Sequence, residues 1–243
     1  MKIFHGIQEI REYVLRQKLL GKTIGFVPTM GALHRGHERL VECSVKENDT
    51  TICSIFVNPT QFNNPHDLQN YPRDLASDVE LLTQAGCDAV FAPDISDMYQ
   101  TPTHVRMDFG MLESTMEGRF RPGHFSGVGV VVAKLFNIIS PIKAYFGKKD
   151  LQQLAVIQSL VRDLNFNIEI VPVDTVRETG GLAMSSRNRL LTEEERTIAL
   201  NLNTSLLLAK ENLLKGLSPA EVKSYIQKHF EGRRYKTGVF RNR

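Results

Sequence analysis

The feature that most constrains this chain is an alternation. Short, continuously apolar runs recur between longer stretches of helical length and periodicity. "TIGFV" (23–27), "TICSIFV" (51–57), "DAVFA" (88–92), "KAYFG" (143–147) and "NIEIVPV" (167–173) read as strands. Continuous apolarity suits parallel strands covered on both faces. Residues 36–48, 74–85, 127–140 and 150–163 read as the intervening helices, with Asp74 and Asp150 as caps or first-turn acids. The pattern predicts an α/β doubly wound parallel sheet, a Rossmann-like domain over residues 1–176. In such sheets ligands bind beyond the carboxyl ends of the strands.

From residue 177 the texture changes. "RETGGLAMSSRNRLLTEEER" is a polar loop running into a helix capped by Thr192, with Glu193, Glu194 and Glu195 at its positive end. Helices are expected over 192–215 and 218–229, the second opened by Ser218-Pro219. No strand-like run follows residue 176, so 177–243 reads as a small helical part. Its last stretch, "EGRRYKTGVFRNR" (231–243), is basic and offers little to a core.

Composition removes several function classes. A net charge of +3 is too small to argue for nucleic acid. The most apolar run, "VGVVVAKLFNII", carries Lys134 and falls short of the ~20 residues a membrane helix needs. Cys43, Cys53 and Cys87 are odd in number, lack metal spacing and sit among apolar residues, which fits reduced thiols. A soluble, cytoplasmic protein with no nucleic-acid or membrane partner is expected.

The stretch "PTMGALHRGH" (28–37) follows the first of these strands and leads into a helix. Three readings of His34 and His37 compete. A zinc pair needs at least a third ligand, and no other His or Cys pair supplies one. A bland loop leaves both glycines and both histidines as coincidence. A phosphate cradle uses them all: Gly31 and Gly36 allow close backbone approach, helix-start N–H groups attract anions, and imidazoles add directed donors. Two further clusters gain weight from it. "FGKKDLQQ" (146–153) follows the 143–147 strand, with Gly147 for close approach, Lys148 or Lys149 for phosphate, and Asp150 for ribose. "MSSRN" (184–188) offers two hydroxyls and a guanidinium. Taken singly, each is as well read as an ordinary polar loop.

In combination the motifs carry a resemblance. "HRGH" resembles the HxGH signature of the nucleotidyltransferase superfamily, and "MSSRN" stands where that superfamily has its KMSKS-type loop. "FVPTMGALHRGH", "SIFVNPTQF", "YPRDLASD", "RPGHFSGV", "YFGKKDLQQL" and "GLAMSSRN", in order over about residues 23–200, resemble the pantothenate synthetase family of pantoate–β-alanine ligases. The resemblance implies that ATP and pantoate give pantoyl adenylate and pyrophosphate, and that β-alanine then yields pantothenate and AMP. Mg²⁺ is implied to arrive with ATP rather than at a protein metal site.

The implied ATP site comprises Met30, Gly31, Ala32, Leu33, His34, Arg35, Gly36 and His37. To these the resemblance adds Gly147, Lys148, Lys149 and Asp150, then Val176, Met184, Ser185, Ser186 and Arg187. Charge stabilisation falls to His34, His37, Lys149, Ser185, Ser186 and Arg187, with His37 as proton donor. Gln61 and Gln153 are implied to hold pantoate, with Asn58 on the same side. Glu117, Arg121, His124 and Tyr71 lie in matched segments, and Arg121 and His124 are candidates to orient the 119–128 loop or meet pyrophosphate. Gly127 and Gly129 are expected to bring a buried helix close to pantoate and the sheet.

The family also implies a homodimer through the N-terminal domain, for which "TICSIFV" could be either sheet core or interface. It implies a longer C-terminal domain than the one here. From this come the expectations that 192–229 docks loosely, that the tail is disordered, and that turnover is slow with leakage of AMP. The competing functions are a cytidylyl- or adenylyltransferase using the same HxGH machinery and a nucleotide-binding module with impaired catalysis.

Overall fold

The computed structural model describes residues 1–231. These fall in two compact units, Met1–Thr175 and one beginning at Val176.

The first unit opens with β1 (Lys2–Phe4) and α1 (Ile7–Leu19), then β2 (Ile24–Thr29), α2 (Arg35–Glu47) and β3 (Thr50–Ile55). A 3₁₀ turn at Pro59–Gln61 leads to α3 (Pro65–Gln69), α4 (Leu75–Gln84), β4 (Ala89–Phe91) and α5 (Ile95–Met98). Short helices α6 (Met111–Ser114) and α7 (Met116–Phe120) precede α8 (His124–Ile139), β5 (Lys143–Gly147), α9 (Leu151–Asp163) and β6 (Glu169–Val173). All six strands are parallel, in the order β1-β4-β3-β2-β5-β6. The doubly wound sheet is therefore present, with β1 and α1 added ahead of the expected strands.

Side chains alternate between two cores, as a pleated strand requires. Ile24, Phe26, Ile52, Phe91, Ala144 and Phe146 pack against Ile10, Val14, Phe136 and Ile157 from α1, α8 and α9. Val27, Cys53, Val90 and Tyr145 face the other way, onto Leu40, Val41 and Leu82 from α2 and α4. Gly25 lets α2 lie close on β2, because a Cβ there would stand 2.2 Å from Ser44 Oγ. The run 51–57 is sheet core: β3 is hydrogen-bonded to β2 on one side and β4 on the other, with Thr50–Cys53 buried.

Helix starts follow the expected chemistry in part. Asp74 caps α4 by accepting from Ser77 N at 3.1 Å. Asp150 stands at the start of α9 but makes no capping hydrogen bond. Helix α8 starts three residues before the expected 127, and nearly all of it is buried.

In the second unit, residues 176–184 form a tight turn closed by an antiparallel bridge between Arg177 and Ala183. A 3₁₀ segment (Ser186–Leu190) precedes α10 (Glu193–Leu214) and α11 (Pro219–Glu231). Thr192 and Glu195 form a reciprocal capping box for α10. Leu206, Leu207 and Leu214 on α10 are exposed. The expectation of a disordered tail concerns residues 232–243, which lie outside the described residues.

Candidate active site

Strand order places the site. From β2 the chain crosses to β3 on one side, while β5 lies on the other, so β2 and β5 flank a topological switch point. The loops after these two strands carry the first two motif clusters.

After β2 the chain turns through Gly31 (φ 80°) and Ala32 (φ 50°), both left-handed. Gly31 N–H donates to Thr29 Oγ1 at 3.2 Å. The next two N–H groups, of Ala32 and Leu33, donate to Asp78 Oδ2 and Oδ1 at 3.0 and 2.7 Å. The N–H groups of residues 31–33 thus point inward, and the helix start that the cradle reading offered to an anion follows them at Arg35. What the loop presents next is imidazole. His34 is the N-cap of α2, and its Nδ1 accepts from Gly36 N–H at 3.1 Å. Because Nδ1 accepts, a neutral His34 carries its proton on Nε2.

His37 lies on the first turn of α2, its ring 4.1 Å from that of His34 between centroids and tilted by 32°. Its Nδ1 is hidden from solvent and has no hydrogen-bond partner among the described residues. Burial pushes the His37 pKa down to about 3, helped by the adjacent His34 and by the Lys149 cation. At neutral pH His37 is therefore a neutral imidazole.

After β5, Lys148 pairs with Asp174 at 2.7 Å, and Lys149 spans both oxygens of Asp150 at 3.2 and 3.3 Å. No internal packing demands glycine at 147: a Cβ there would meet nothing closer than Lys149 N at 4.0 Å. The space beside it is open to a ligand.

The amides divide into braced and open ones. Asn58, only 1% exposed, donates to Gln61 Oε1 (3.1 Å) and Gly127 O (3.3 Å) and accepts from Tyr99 Oη (2.7 Å). Gln61 Nε2 donates to the Met30 thioether at 3.0 Å, a weak acceptor that a ligand oxygen could replace. The Gln61 carbonyl accepts from His124 Nδ1 at 2.8 Å. Arg121 joins this brace through Glu117 at 2.7 Å and His124 Nε2 at 3.1 Å. Burial, then Arg121, lowers the pKa of His124. Arg121 and His124 thus hold the backbone of Gln61.

Gln153 is half-buried, with no side-chain hydrogen bond among the described residues. Its neighbour Gln152 is buried and bound to Leu112 O (2.6 Å), Thr115 O (2.9 Å) and Glu117 N (2.9 Å). Gly127 and Gly129 let α8 approach the 59–61 turn and Phe109: Cβ atoms there would stand 2.5 Å from Thr60 O and 2.6 Å from the Phe109 ring. Tyr71 is buried edge-on against Phe62.

Within the second unit, Ser185 Oγ accepts from Arg187 N–H at 3.3 Å, capping the 3₁₀ segment. Asn188 donates to Glu178 Oε1 (2.7 Å) and Ala183 O (3.0 Å), and Arg196 pairs with Glu178. The "MSSRN" loop is anchored here. Met184 N–H bonds Val176 O at 3.0 Å.

A parallel sheet whose switch point carries an HxGH helix start defines the nucleotidyltransferase class of α/β enzymes. Within that class the comparisons are specific. The family model described as pantoate-beta-alanine ligase matches residues 2–239, beyond the motif span at both ends. The pantothenate synthetase of Cytophaga hutchinsonii is 49% identical over 208 residues, 86% of this chain and 74% of that one. Among solved structures, pantothenate synthetase from Thermus thermophilus aligns with TM-score 0.90 and 44% identity, covering 96% of this chain and 83% of that one. Pantoate-beta-alanine ligase from Francisella tularensis, complexed with beta-gamma ATP and beta-alanine, gives TM-score 0.81 and 38% identity, covering 94% and 85%. The chain belongs to the pantoate–β-alanine ligase family. Its reaction is the joining of pantoate to β-alanine to give pantothenate, and the nucleotidyl-transfer alternative is not favoured.

Proposed function

We propose that this ligase works in two ATP-driven steps at the carboxyl ends of β2 and β5. In the first, a pantoate carboxylate oxygen bonds to the α-phosphorus of ATP. The bond from that phosphorus to its bridging oxygen breaks, and pyrophosphate leaves. In the second, the β-alanine amine attacks the acyl carbon of pantoyl adenylate, loses a proton, and AMP departs. The ligands named for the Francisella structure support this reading.

The observation that carries it is the His34–His37 stack beside Lys149. As charge builds on the phosphate oxygens, His34 Nε2–H and the His37 ring supply oriented donors in a water-poor place. A neutral His37 donates a hydrogen bond, and an approaching phosphate raises its proton affinity. Lys149, exchanging Asp150 for phosphate, adds a full charge, with Lys148 next to it. The backbone from Met30 to Gly36, including Arg35, and from Gly147 to Asp150 forms the nucleotide wall. Val176, Met184, Ser185, Ser186 and Arg187 are assigned to ATP in the same reading. Gln61 and Gln153 orient pantoate, and Asn58 acts by fixing Gln61.

Mg²⁺ comes with ATP and neutralises phosphate charge. Among the described residues no three His, Cys, Asp or Glu side chains gather as a metal site. Asp150, the carboxylate beside Lys149, is paired with it at 3.2 Å.

The free thiols of Cys43, Cys53 and Cys87 support a cytoplasmic setting, which recovery in a membrane fraction would overturn. Exposed Val105, Met111, Met116 and Phe120 support a homodimer through the first unit, to be checked by sedimentation. The decisive assay follows AMP. It should appear fast only with pantoate and β-alanine both present, whereas pyrophosphate release from CTP without amide product would overturn the reading.

A further inference from the structure

We propose that Asp78 is a positioning residue for this reaction, holding the HxGH loop in its working shape from behind. Asp78 stands on the first turn of α4, 3% exposed, and reaches the loop after β2 through backbone N–H groups. Its two oxygens take the N–H groups of Ala32 and Leu33 at 3.0 and 2.7 Å. Those bonds fix a turn that is otherwise disfavoured. Ala32 sits at φ 50°, a region that a residue with a Cβ enters reluctantly, directly after Gly31 at φ 80°. The fit is close enough to exclude a side chain at 31, since a Cβ there would stand 2.9 Å from Asp78 Oδ2.

The consequence reaches the histidines by a short path. Leu33 precedes His34, so the carboxylate that holds Leu33 N–H sets where the His34 backbone begins. His34 in turn caps α2 through Gly36 and stacks on His37. Asp78 therefore acts on the reacting phosphate through the loop it holds and the His34 ring that follows it. Asp78 also lines an open pocket of about 290 Å³, together with Met30, Gly31, Phe56 and Asp94.

The kinetic arm of the test rests on the ligase reading above, and a spectroscopic arm does not. In the full chain, Asp78→Asn keeps the size but turns an amide N–H toward a backbone N–H. It should lower kcat about 10²-fold while the KM values for ATP and pantoate change less than about threefold, because the donors act chiefly in the transition state. Adding Ala32→Gly should recover roughly tenfold of kcat, since glycine holds a positive φ without help. Asp78→Glu keeps the charge and moves the oxygens by one methylene, so it should fold and lose about tenfold in kcat. Independently, ¹⁵N spectra of the histidine rings should show His34 as the single Nε2–H tautomer in the parent and mixed tautomers in Asp78→Asn. A folded Asp78→Asn or Asp78→Glu at parental kcat overturns the proposal. So does a loss confined to KM, a failure of Ala32→Gly to recover activity, or an unchanged His34 tautomer. A parent chain that makes no AMP would count against the ligase reading, and the tautomer would still decide the role of Asp78.

Discussion

The loops after β2 and β5 stand on neighbouring strands, yet they prepare for an anion in opposite ways. The first turns its backbone donors inward onto Thr29 and Asp78 and presents two partly buried rings, of which His37 is held neutral. The second displays two lysines, each already paired with a partly or largely exposed carboxylate. A buried, pre-aimed donor acts in a low dielectric and needs no reorganisation as charge develops. An exposed ion pair is worth ~0–1 kcal/mol and changes partners readily. In the proposed mechanism the β2 loop would act mainly on the transition state, and the β5 loop mainly on capture of the nucleotide.

The largest effect should come from the histidines. Replacing His34 or His37 with Ala should slow adenylate formation ~10²–10³-fold, with ATP affinity changed far less. Lys149→Ala is the counterpart and should weaken ATP binding more than it slows the bound complex. Rapid-quench rates beside equilibrium ATP titrations would measure both. The comparison breaks if the lysine variant shows the rate defect and the histidine variants the binding defect.

A second contrast lies between glutamines. Gln61→Ala should weaken pantoate use by ~1–3 kcal/mol, leaving ATP binding nearly intact. Gln153→Ala should act in the same direction. Gln152→Ala should instead lower the melting temperature, because three backbone groups lose a buried side-chain partner. Pantoate KM and thermal unfolding, measured side by side on all three variants, separate these outcomes.

The smallest effect is on stability against pH. His37 titrates near 6.5 when unfolded and near 3 when folded, so between those values the unfolded chain binds the extra proton. Stability is fully present above about pH 6.5 and falls as pH drops toward 3, by roughly 1 kcal/mol over the first unit of pH. His124, also lowered, adds in the same direction. Urea midpoints at pH 7 and 5.5 should differ less in His37→Gln than in the parent chain. Equal slopes in both would mean that His37 is not held neutral.

Much of this was legible from residues alone, for identifiable reasons. Strands covered on both faces read as unbroken apolar runs, so β2 to β5 stood out, and the edge strand β6 followed from its β-branched Ile170, Val171 and Val173. The sixth, Lys2–Phe4, is a three-residue edge strand with mostly exposed side chains, too short for any pattern. Helix α1 buries only Ile10 and Val14 among many charges, which leaves a weak apolar stripe. The His34–His37 and Lys148–Lys149 clusters were legible because they follow strands. Asp78 was not, since an acid in a helix's first turn ordinarily reads as a complement to the helix dipole. Gln152 and Gln153 are adjacent and identical in type. Only the phase of α9 against α6 and α7 decides which one is structural.

The contact beneath Gly25 has a consequence for how this sequence can drift. A side chain at position 25 would collide with both Ser44 and Asn48, so it could be admitted only if both were cut back together. Asn48, however, donates to Tyr145 Oη at 2.7 Å and to Ser44 O at 2.8 Å, and Ser44 shares a hydrogen bond with Thr51 at 2.8 Å. Shortening them would strip buried partners from two strands at once. Position 25 is therefore locked by residues that never meet a substrate, and a library randomised at 25, 44 and 48 should return glycine at the first almost without exception.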